Sequence, residues 1–487
     1  MKKAFKILYV VLFFAVLCLP MLLMPFFKND ASLEKRALAE FPDYLIDGRL
    51  NLNFSDEFES WVSDNLPLRA QLLTASNTLK GELLHAQTSN VIDGKDGWLF
   101  YGTESADYMN TNALTDRQIR SMAVTLSLIE EDITNRGGRF TFVPAPNKSS
   151  VYGEMMPANY PQAEENNLTR LTAELEAAGV SFTDLRKVLL EKKSFGETMD
   201  APLYHRRDSH WNYRGALIGY NAILDSLGRE HETWADAPYT VEKTWRGDLD
   251  KLLLPAGGVM DEQVVYQIEH ARFRFTQPMG VRDQEAQLEN FMSDKEENDD
   301  LFTVKNLDRK DGSEVYVVRD SFGRALLPFL IDSYETSTYK RTDCPNVASL
   351  KNGVDLIYEI AERNLSRIIS TAPFQYAPVR ENVSAEGLAD GGAVEGKAET
   401  AGYGIRLYGA LPEELPCGDC RVYLRLEQDG RILTVEAFPI HESKLLECEG
   451  TNGYSAILSR DLGLTGTWTV TAIAENTLFD CGTFTAE

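Results

Sequence analysis

An aspartate and a histidine lie two positions apart in the segment RRDSHWNYRG, which begins at residue 206. A histidine beside a carboxylate can accept and return a proton near neutral pH, because the carboxylate holds the imidazole in one tautomer. The pair of Asp208 and His210 is therefore a candidate for half of a catalytic site. The other half requires a nucleophile elsewhere in the chain.

The candidate nucleophile is Ser321, in the segment VYVVRDSFGRALL. A serine at the carboxyl end of a parallel strand and at the start of a helix lies at the sheet edge where ligands bind, and helix amides nearby can stabilise negative charge. Its hydroxyl needs an imidazole to accept its proton, which the Asp-x-His pair can supply. Taken alone, Ser321 is equally typical of a helix N-cap.

Two other interpretations of the Asp-x-His segment stay open at the level of sequence. His205, Asp208 and His210 together form H-x-x-D-x-H, whose ligand types suit zinc or a related cation. That interpretation leaves Ser321 without a role. Alternatively, His210 is only a hydrogen-bonded polar residue beside Trp211.

The first residues predict a membrane anchor. Three lysines precede an apolar run from Ile7 to Phe27, which is long enough at helical rise to cross a bilayer. No small-residue cleavage site follows, so residues 1–29 are expected to be an uncleaved signal anchor. The lysines favour a cytoplasmic N-terminus, which predicts a single-pass protein of the cell membrane with an extracytoplasmic catalytic domain.

Composition excludes some classes of function. The formal net charge of −25 would repel phosphate backbones, so nucleic acid is not an expected partner. The hydrophobic content of 43% with 25% charged residues is typical of a globular protein. Four cysteines after residue 416 predict disulfides of unknown pairing, and a single Cys-x-x-Cys indicates zinc only weakly. These are Cys417, Cys420, Cys448 and Cys481.

Helical and strand periodicities alternate through the middle of the chain and predict an α/β domain with a mainly parallel sheet. Helices are expected over 115–138, 167–179 and 212–228, strands over 139–148 and 180–185, and a strand followed by a helix over 314–332. A further helix is expected over 353–374, and a charged run at about 276–300 is typical of a solvated insertion.

The domain boundaries follow from changes in composition. Residues 30–380 are expected to form the α/β domain, and the Gly-, Ala- and Glu-rich segment 381–401 to form a linker. Short alternating strands after it predict a β-sandwich accessory domain over residues 402–487.

Two segments carry a family resemblance. RDSHWNYRGA and VVRDSFGRALLPFL resemble the paired motifs of the SGNH-hydrolase-like proteins of polysaccharide O-acetylation, specifically the DHHW group related to the alginate O-acetyltransferases. Segments such as DGKDGWLFYG, FVPAPNKSSVYGEMMP and VDLIYEIAERNL resemble the same family in the same order. The resemblance covers most of residues 33–375.

The resemblance implies a flavodoxin-like fold and assigns the roles of nucleophile to Ser321, general base to His210 and orienting carboxylate to Asp208. Arg319 stands where the related esterases have glycine, so the Ser321 amide is the one oxyanion donor that the motif supplies. Three further residues are expected either to line the cleft or to form structural ion pairs: Lys148, Glu359 and Arg363.

The function implied is transfer of an acetyl group through an acyl-serine to hydroxyls of a cell-surface or exported polysaccharide, without a metal or organic cofactor. The family implies a membrane-bound O-acyltransferase as the partner that supplies acetyl groups. Two alternatives remain: a carbohydrate esterase with the same three residues, and a non-catalytic polysaccharide-binding scaffold, which a large separation of Ser321 from His210 would favour.

Overall fold

The computed structural model describes residues 2–24, 26–27, 38–46, 48–84, 90–195, 202–277, 301–441 and 452–486. The expected charged insertion lies almost wholly outside these ranges, as does Cys448. Helix α1 spans Lys2–Leu23. Among the helices in the described ranges, none combines the length and the apolar character needed to cross a bilayer, so the predicted membrane anchor is not confirmed.

Two helices and two small hairpins precede the central sheet. The two helices are separated at Pro67, where the ring of proline cannot continue a helix. The elements are β1 (Leu45–Ile46), β2 (Arg49–Leu50), α2 (Phe54–Asn65), α3 (Arg69–Leu84), β3 (Val91–Asp93) and β4 (Leu99–Tyr101).

The α/β unit contains the elements α4 (Glu104–Tyr108), α5 (Asp116–Asn135), β5 (Phe140–Ala145), α6 (Lys148–Val151), α7 (Asn167–Ala178), α8 (Leu185–Phe195), α9 (Tyr213–Ser226), β6 (Tyr239–Trp245), α10 (Asp248–Leu253), β7 (Asp261–Tyr266), β8 (Phe273–Gln277), β9 (Leu301–Asn306), β10 (Glu314–Arg319), α11 (Leu327–Leu330), β11 (Thr336–Arg341) and β12 (Asp355–Ala361). Helix α5 begins with a capping box in which Thr115 and Gln118 satisfy each other's backbone N–H groups.

The central sheet has the order β5-β12-β10-β11-β9-β8. Its first four strands run parallel, and β9 and β8 extend it in antiparallel fashion. Apolar clusters cover both faces, one beneath α8, α9 and α11 and the other beneath α5 and α7. The predicted mainly parallel α/β sheet is therefore confirmed.

The helix predicted over residues 353–374 is wrong. Its first half is β12, which lies between β5 and β10 with all seven residues buried, and its second half is a 3₁₀ segment over Glu362–Ile369. A parallel strand buried on both faces is a continuous apolar run, and periodicity cannot distinguish such a run from part of a buried helix. The strand expected over residues 180–185 shrinks to one bridge between Phe142 and Phe182.

The C-terminal segment is a sheet of eight strands in the order β13-β20-β19-β16-β17-β18-β15-β14. Strand β17 pairs with β16 through its first half and with β18 through its second, and both halves of the sheet share one apolar core. The strands are β13 (Ala389–Ala393), β14 (Gly396–Ala401), β15 (Gly404–Leu411), β16 (Val422–Gln428), β17 (Arg431–His441), β18 (Asn452–Ser459), β19 (Gly466–Ala474) and β20 (Thr477–Ala486).

Two features of this segment differ from expectation. Strands β13 and β14 occupy most of the predicted linker, because a Gly- and Ala-rich chain can still pair its backbone at a sheet edge. The expected disulfides are not formed among the described cysteines, since Cys417, Cys420 and Cys481 are all free thiols. The sheet packs on α5, where His441 Nε2 lies 2.9 Å from Ser121 Oγ.

Candidate active site

Ser321 lies two residues after the end of β10, at the start of the 3₁₀ turn Phe322–Leu326. The side chain of Asp320 fixes this turn: Oδ1 accepts the Phe322 N–H (2.9 Å), and Oδ2 accepts the Ala361 N–H (2.9 Å). Asn364 also donates to Oδ2, at 3.1 Å. The end of β10 is thereby tied to the end of β12, which positions Ser321 at the carboxyl edge of the sheet.

The Asp-x-His segment forms a tight loop that precedes α9. Tyr204 and Trp211 bridge across its base, and the Asn212 side chain caps α9 by accepting the N–H groups of Arg214 and Gly215. The indole N–H of Trp211 donates to the carbonyl of Phe322 at 3.0 Å. This bond joins the two motifs, which lie more than one hundred residues apart in the chain.

The three expected residues form a continuous relay. Ser321 Oγ lies 2.7 Å from His210 Nε2, and His210 Nδ1 lies 2.7 Å from Asp208 Oδ1. Since a carboxylate only accepts, the imidazole proton belongs on Nδ1, which leaves Nε2 to accept the proton of the serine hydroxyl. The arrangement suits nucleophilic attack by Ser321 with His210 as the base.

The Asp208 carboxylate is buried and fully hydrogen-bonded. Its Oδ1 also accepts the His210 N–H at 3.0 Å. Its Oδ2 accepts the Trp245 indole N–H at 3.0 Å and the Asp248 backbone N–H at 2.9 Å. These donors favour the ionised form and hold the carboxylate in one orientation.

Asp248 is a second carboxylate beside the imidazole, and no motif in the sequence indicated it. Its Oδ2 lies 3.7 Å from His210 Nδ1. Its two oxygens also accept the Ser209 N–H at 2.7 Å and the Ser209 hydroxyl at 2.6 Å. Asp248 lies at the start of α10, after a stretch that shows no helical or strand period, so neither pattern nor motif pointed to it.

The electrostatics of the relay favour a charged imidazole. Burial lowers the pKa of His210, but the hydrogen bond and negative charge of Asp208 outweigh it and raise the pKa above its ordinary value. Burial raises the pKa of Asp208, yet the hydrogen bond and charge of His210 reverse this and hold it well below its usual range. Burial, followed by the charge of Asp208, raises the pKa of Asp248.

The relay opens into a cavity of about 920 Å³. Ser321 and His210 lie in its wall, with Phe322 beneath the imidazole at a ring-centroid distance of 4.9 Å. The wall carries both signs of charge, in a protein whose overall charge is strongly negative. Its charged residues are Asp208, Asp248, Arg319, Asp320, Arg324, Arg341, Asp343, Arg363 and Arg367.

Of the three residues expected at the cleft or in ion pairs, Arg363 alone lines the cavity. Its guanidinium carbon lies 5.2 Å from the centroid of the Phe322 ring, and its nearest carboxylate oxygen belongs to Glu104, at 3.7 Å. Its Nη1 is buried and makes no hydrogen bond within the described residues.

Lys148 and Glu359 lie beneath the site instead. The Lys148 ammonium donates to the carbonyls of His205 (3.2 Å), Arg206 (3.1 Å) and Asp208 (2.6 Å), so it holds the Asp-x-His loop from inside. Burial lowers the pKa of Lys148 to about 8.

Glu359 is buried on β12. Burial, followed by the charge of Asp320, raises the pKa of Glu359 well above its usual range.

Glu359 also accounts for the glycine at position 323, two residues after Ser321. Its Oε2 accepts the Asp320 N–H at 3.1 Å. A Cβ at Gly323 would lie 2.7 Å from the same oxygen and 2.6 Å from Arg319 Cβ, so the turn that carries Ser321 packs too closely for a larger residue.

The metal interpretation of H-x-x-D-x-H does not fit the geometry. His205 stacks on Trp245 at a centroid distance of 4.9 Å, and its Nδ1 lies 3.0 Å from the Glu262 carbonyl. The metal-capable group in the described residues consists of Asp208, His210 and Asp248, without His205. In this group the Nδ1 of His210 already bonds Asp208.

Comparison with known proteins agrees with the sequence motifs. Residues 91–305 match the family described as the SGNH hydrolase-like domain of the acetyltransferase AlgX, a range that includes Asp208 and His210 and ends before Ser321. The resemblance to this acetyltransferase family is confirmed. The chain is 26% identical over 219 residues to the probable alginate O-acetylase AlgJ of Pseudomonas aeruginosa, across 44% of this chain and 53% of that protein.

The probable alginate O-acetylase AlgJ of Pseudomonas putida is 23% identical over 222 residues, across 42% of this chain and 55% of that protein. The chain thus spans about half the length of the curated relatives it matches. Among solved structures, a DHHW family protein from Eubacterium siraeum is 15% identical and covers 60% of this chain and 98% of its own, with a TM-score of 0.44. Bacillus cereus PatB1 is 18% identical, covers 55% and 95%, and has a TM-score of 0.42.

Proposed function

We propose that this chain is a serine-dependent O-acetyltransferase that moves an acetyl group through an acyl-serine to hydroxyls of a polysaccharide. The observation that carries the proposal is the relay from Ser321 through His210 to Asp208, with both contacts at 2.7 Å, at the wall of an open cavity. We infer the acetyl group and the polysaccharide acceptor from the similarity of the chain to the probable alginate O-acetylases.

In the first half of the reaction, His210 Nε2 takes the proton of Ser321 Oγ as that oxygen attacks the carbonyl carbon of an acetyl donor. The imidazolium returns the proton to the leaving group, and the acetyl group stays on Ser321 as an ester. The negative charge of Asp208 stabilises the imidazolium while it exists.

In the second half, a sugar hydroxyl replaces the donor in the cavity. His210 takes the proton of that hydroxyl while its oxygen attacks the acetyl carbon, and the proton then returns to Ser321 Oγ. The products are the O-acetylated sugar and the free serine. A cavity of about 920 Å³ has room for both the acyl-serine and a sugar residue.

The oxyanion that forms in each half needs hydrogen-bond donors. The N–H of Phe322 is already bonded to Asp320 Oδ1 at 2.9 Å, and the N–H of Asp320 to Glu359 at 3.1 Å. We therefore assign the Ser321 N–H as the donor from this turn. Arg363 is the second donor that we propose, because its side chain lines the same cavity and its guanidinium carbon lies 5.2 Å from the ring centroid of Phe322, the residue after the nucleophile.

Water in place of the sugar would make the same residues an esterase. A scaffold without catalysis is disfavoured, since that alternative required Ser321 to lie far from His210. Membrane anchoring, an extracytoplasmic location and a membrane-bound acetyl donor partner stay predictions from the sequence and the family resemblance.

The test is intact mass of the purified chain after incubation with an activated acetyl ester, beside Ser321→Ala and His210→Ala. One acetyl adduct that maps to Ser321 and is absent from Ser321→Ala would support the proposal. Ser349→Ala is the matched control, because this hydroxyl is exposed, bonds the Asn346 carbonyl away from the cavity and should leave the adduct intact. Transfer of the acetyl group from Ser321 to an added oligosaccharide would identify a transferase, whereas release of free acetate would identify an esterase. A folded parent protein that forms no adduct would refute both functions.

A further inference from the structure

A pair of cysteines lies in the loop between β15 and β16, away from the proposed active site. The sulfur atoms of Cys417 and Cys420 are 3.9 Å apart. The first thiol is exposed and the second is buried. Cys420 has a positive φ of 56°, which bends the loop back on itself and brings the second sulfur beside the first.

This loop is held where the C-terminal sheet meets α5. Arg117 on α5 donates to the Pro416 carbonyl at 2.8 Å and bonds Glu475 at 3.0 Å. The same Glu475 oxygen accepts the Cys420 N–H at 3.1 Å. A Cβ at Gly418 would lie 2.0 Å from Glu475 Oε2, so a side chain there would displace the carboxylate that holds the loop.

The two thiols have different electrostatic surroundings. Arg120 on α5 places Nη1 3.7 Å from Cys417 Sγ and also donates to the Gly418 carbonyl. A positive charge therefore lies beside the exposed sulfur. Burial raises the pKa of Cys420 to about 12, so this group stays a thiol near neutral pH.

We propose that Cys417 and Cys420 form a thiol–disulfide exchange site that reacts with disulfides of small thiols or of other proteins. The Cys417 thiolate attacks one sulfur of the disulfide RSSR, forming a mixed disulfide and releasing one thiolate. Cys420 then loses its proton and attacks Cys417 Sγ, which releases the second thiolate. The two cysteines are oxidised to one disulfide, and RSSR is reduced to two thiols, so electrons balance.

The difference in exposure between Cys417 and Cys420 sets the order in which they react. A reagent can reach Cys417 but not Cys420, so exchange begins at the first cysteine and finishes at the second. Zinc binding is not supported, because in the described part of the chain neither sulfur belongs to a group of three or more metal-donor side chains.

The experiment uses the full chain with oxidised glutathione as the probe, followed by intact mass and peptide mapping. The parent should lose two hydrogens within the peptide that contains both cysteines and should retain no glutathione. Cys420→Ser should accumulate one glutathione on Cys417, because nothing removes it. Cys417→Ser should gain no adduct at Cys420 over the same time.

The role of Arg120 has its own control. Arg120→Gln should slow adduct formation on the Cys420→Ser background roughly twofold, since its guanidinium lies 3.7 Å from the sulfur that attacks the disulfide and this exposed interaction is partly screened by salt. Arg425→Gln, on the outer face of β16, should leave the rate unchanged. Stable glutathione on the parent, a bond from either cysteine to Cys448, or equal reactivity of the two serine variants would overturn the proposal.

Discussion

Asp248 Oδ2 lies 3.7 Å from His210 Nδ1, so the imidazole has a second carboxylate within reach besides that of Asp208. The backbone N–H of Asp248 also donates to Asp208 at 2.9 Å, which ties the two acidic residues together. Asp208 makes the short contact and Asp248 the longer one. We infer that Asp208 fixes the tautomer, whereas Asp248 positions the loop through Ser209 and adds negative charge beside the base.

Asp248→Asn tests this division. Asparagine can still accept the Ser209 N–H and keeps the backbone donor to Asp208, so the change removes the charge and the acceptor of the Ser209 hydroxyl. The rate of acyl-serine formation should fall by much less than the ~10²-fold that loss of a general base costs. The acidic limb of its pH profile should also move to lower pH, because one carboxylate that raises the pKa of His210 is gone. An unmoved limb would show that Asp248 has a structural role only.

Asp208→Asn should be far more damaging. An amide in place of the carboxylate can present its NH₂ group to Nδ1 and favour the wrong tautomer, an effect that costs about 10⁴-fold in serine hydrolases. The rate of adduct formation on Ser321, followed by mass spectrometry, measures the loss, and near-ultraviolet circular dichroism checks the fold. A well-folded variant within about tenfold of the parent would contradict the assigned role of Asp208.

The pH dependence of the parent follows from His210. The base must be neutral to accept the serine proton, so acylation should rise with pH as the imidazole loses its charge. Because Asp208 outweighs burial and raises the pKa of His210, the midpoint should lie above the ordinary value of about 6.5. Rates of adduct formation across a pH series give the midpoint directly. A midpoint below the ordinary value would mean that burial dominates in solution.

Arg363→Met tests the second oxyanion donor. Removing one such donor typically costs about 10²-fold in the chemical step, and we expect a loss of that size in acylation with a normal fold. Arg367→Gln is the matched control, because this cavity arginine is already paired with Asp343 at 2.9 Å. If the two variants lose the same fraction of the acylation rate, Arg363 contributes only positive charge to the cavity and no specific hydrogen bond to the oxyanion.

The sequence was sufficient for the parts of the site whose chemistry is local. An Asp-x-His pair and a serine between strand and helix are recognisable in a few residues, and the parallel sheet that joins them follows from alternating periodicities. Asp248 was missed because its contact with Ser209 spans 39 residues of chain and belongs to no local motif. Only the folded chain brings such residues together.

Burial on both faces of the sheet explains the wrongly predicted helix. The segment 353–374 looked helical because β12 is apolar throughout, and central parallel strands lack the alternation that identifies a strand. Glu359 was expected either to line the cleft or to form an ion pair, and its side chain is buried on β12, where it accepts the Asp320 N–H. A charged residue in an apolar run does not reveal from sequence whether it faces solvent or the interior.

Replacement of Lys148 should lower both the free energy of unfolding and the rate of acylation. Its side chain is fully buried, and its ammonium donates to three backbone carbonyls of the Asp-x-His loop. Lys148→Met removes these charge-assisted bonds and leaves buried carbonyls without donors, which should lower the free energy of unfolding by about 3 kcal/mol. Urea denaturation measures this change, and Lys187→Met, at an exposed position on α8, should leave it unchanged.

The same variant should also lose acylation, since the loop that carries His210 depends on Lys148 for its position. Under conditions where Lys148→Met is fully folded, the rate of adduct formation on Ser321 should fall at least tenfold, as expected for a displaced general base. Lys148→Arg should not restore it, because a guanidinium is too large for a cage that closes around one ammonium. A folded Lys148→Met with parental rates would show that the loop holds its shape without this cation.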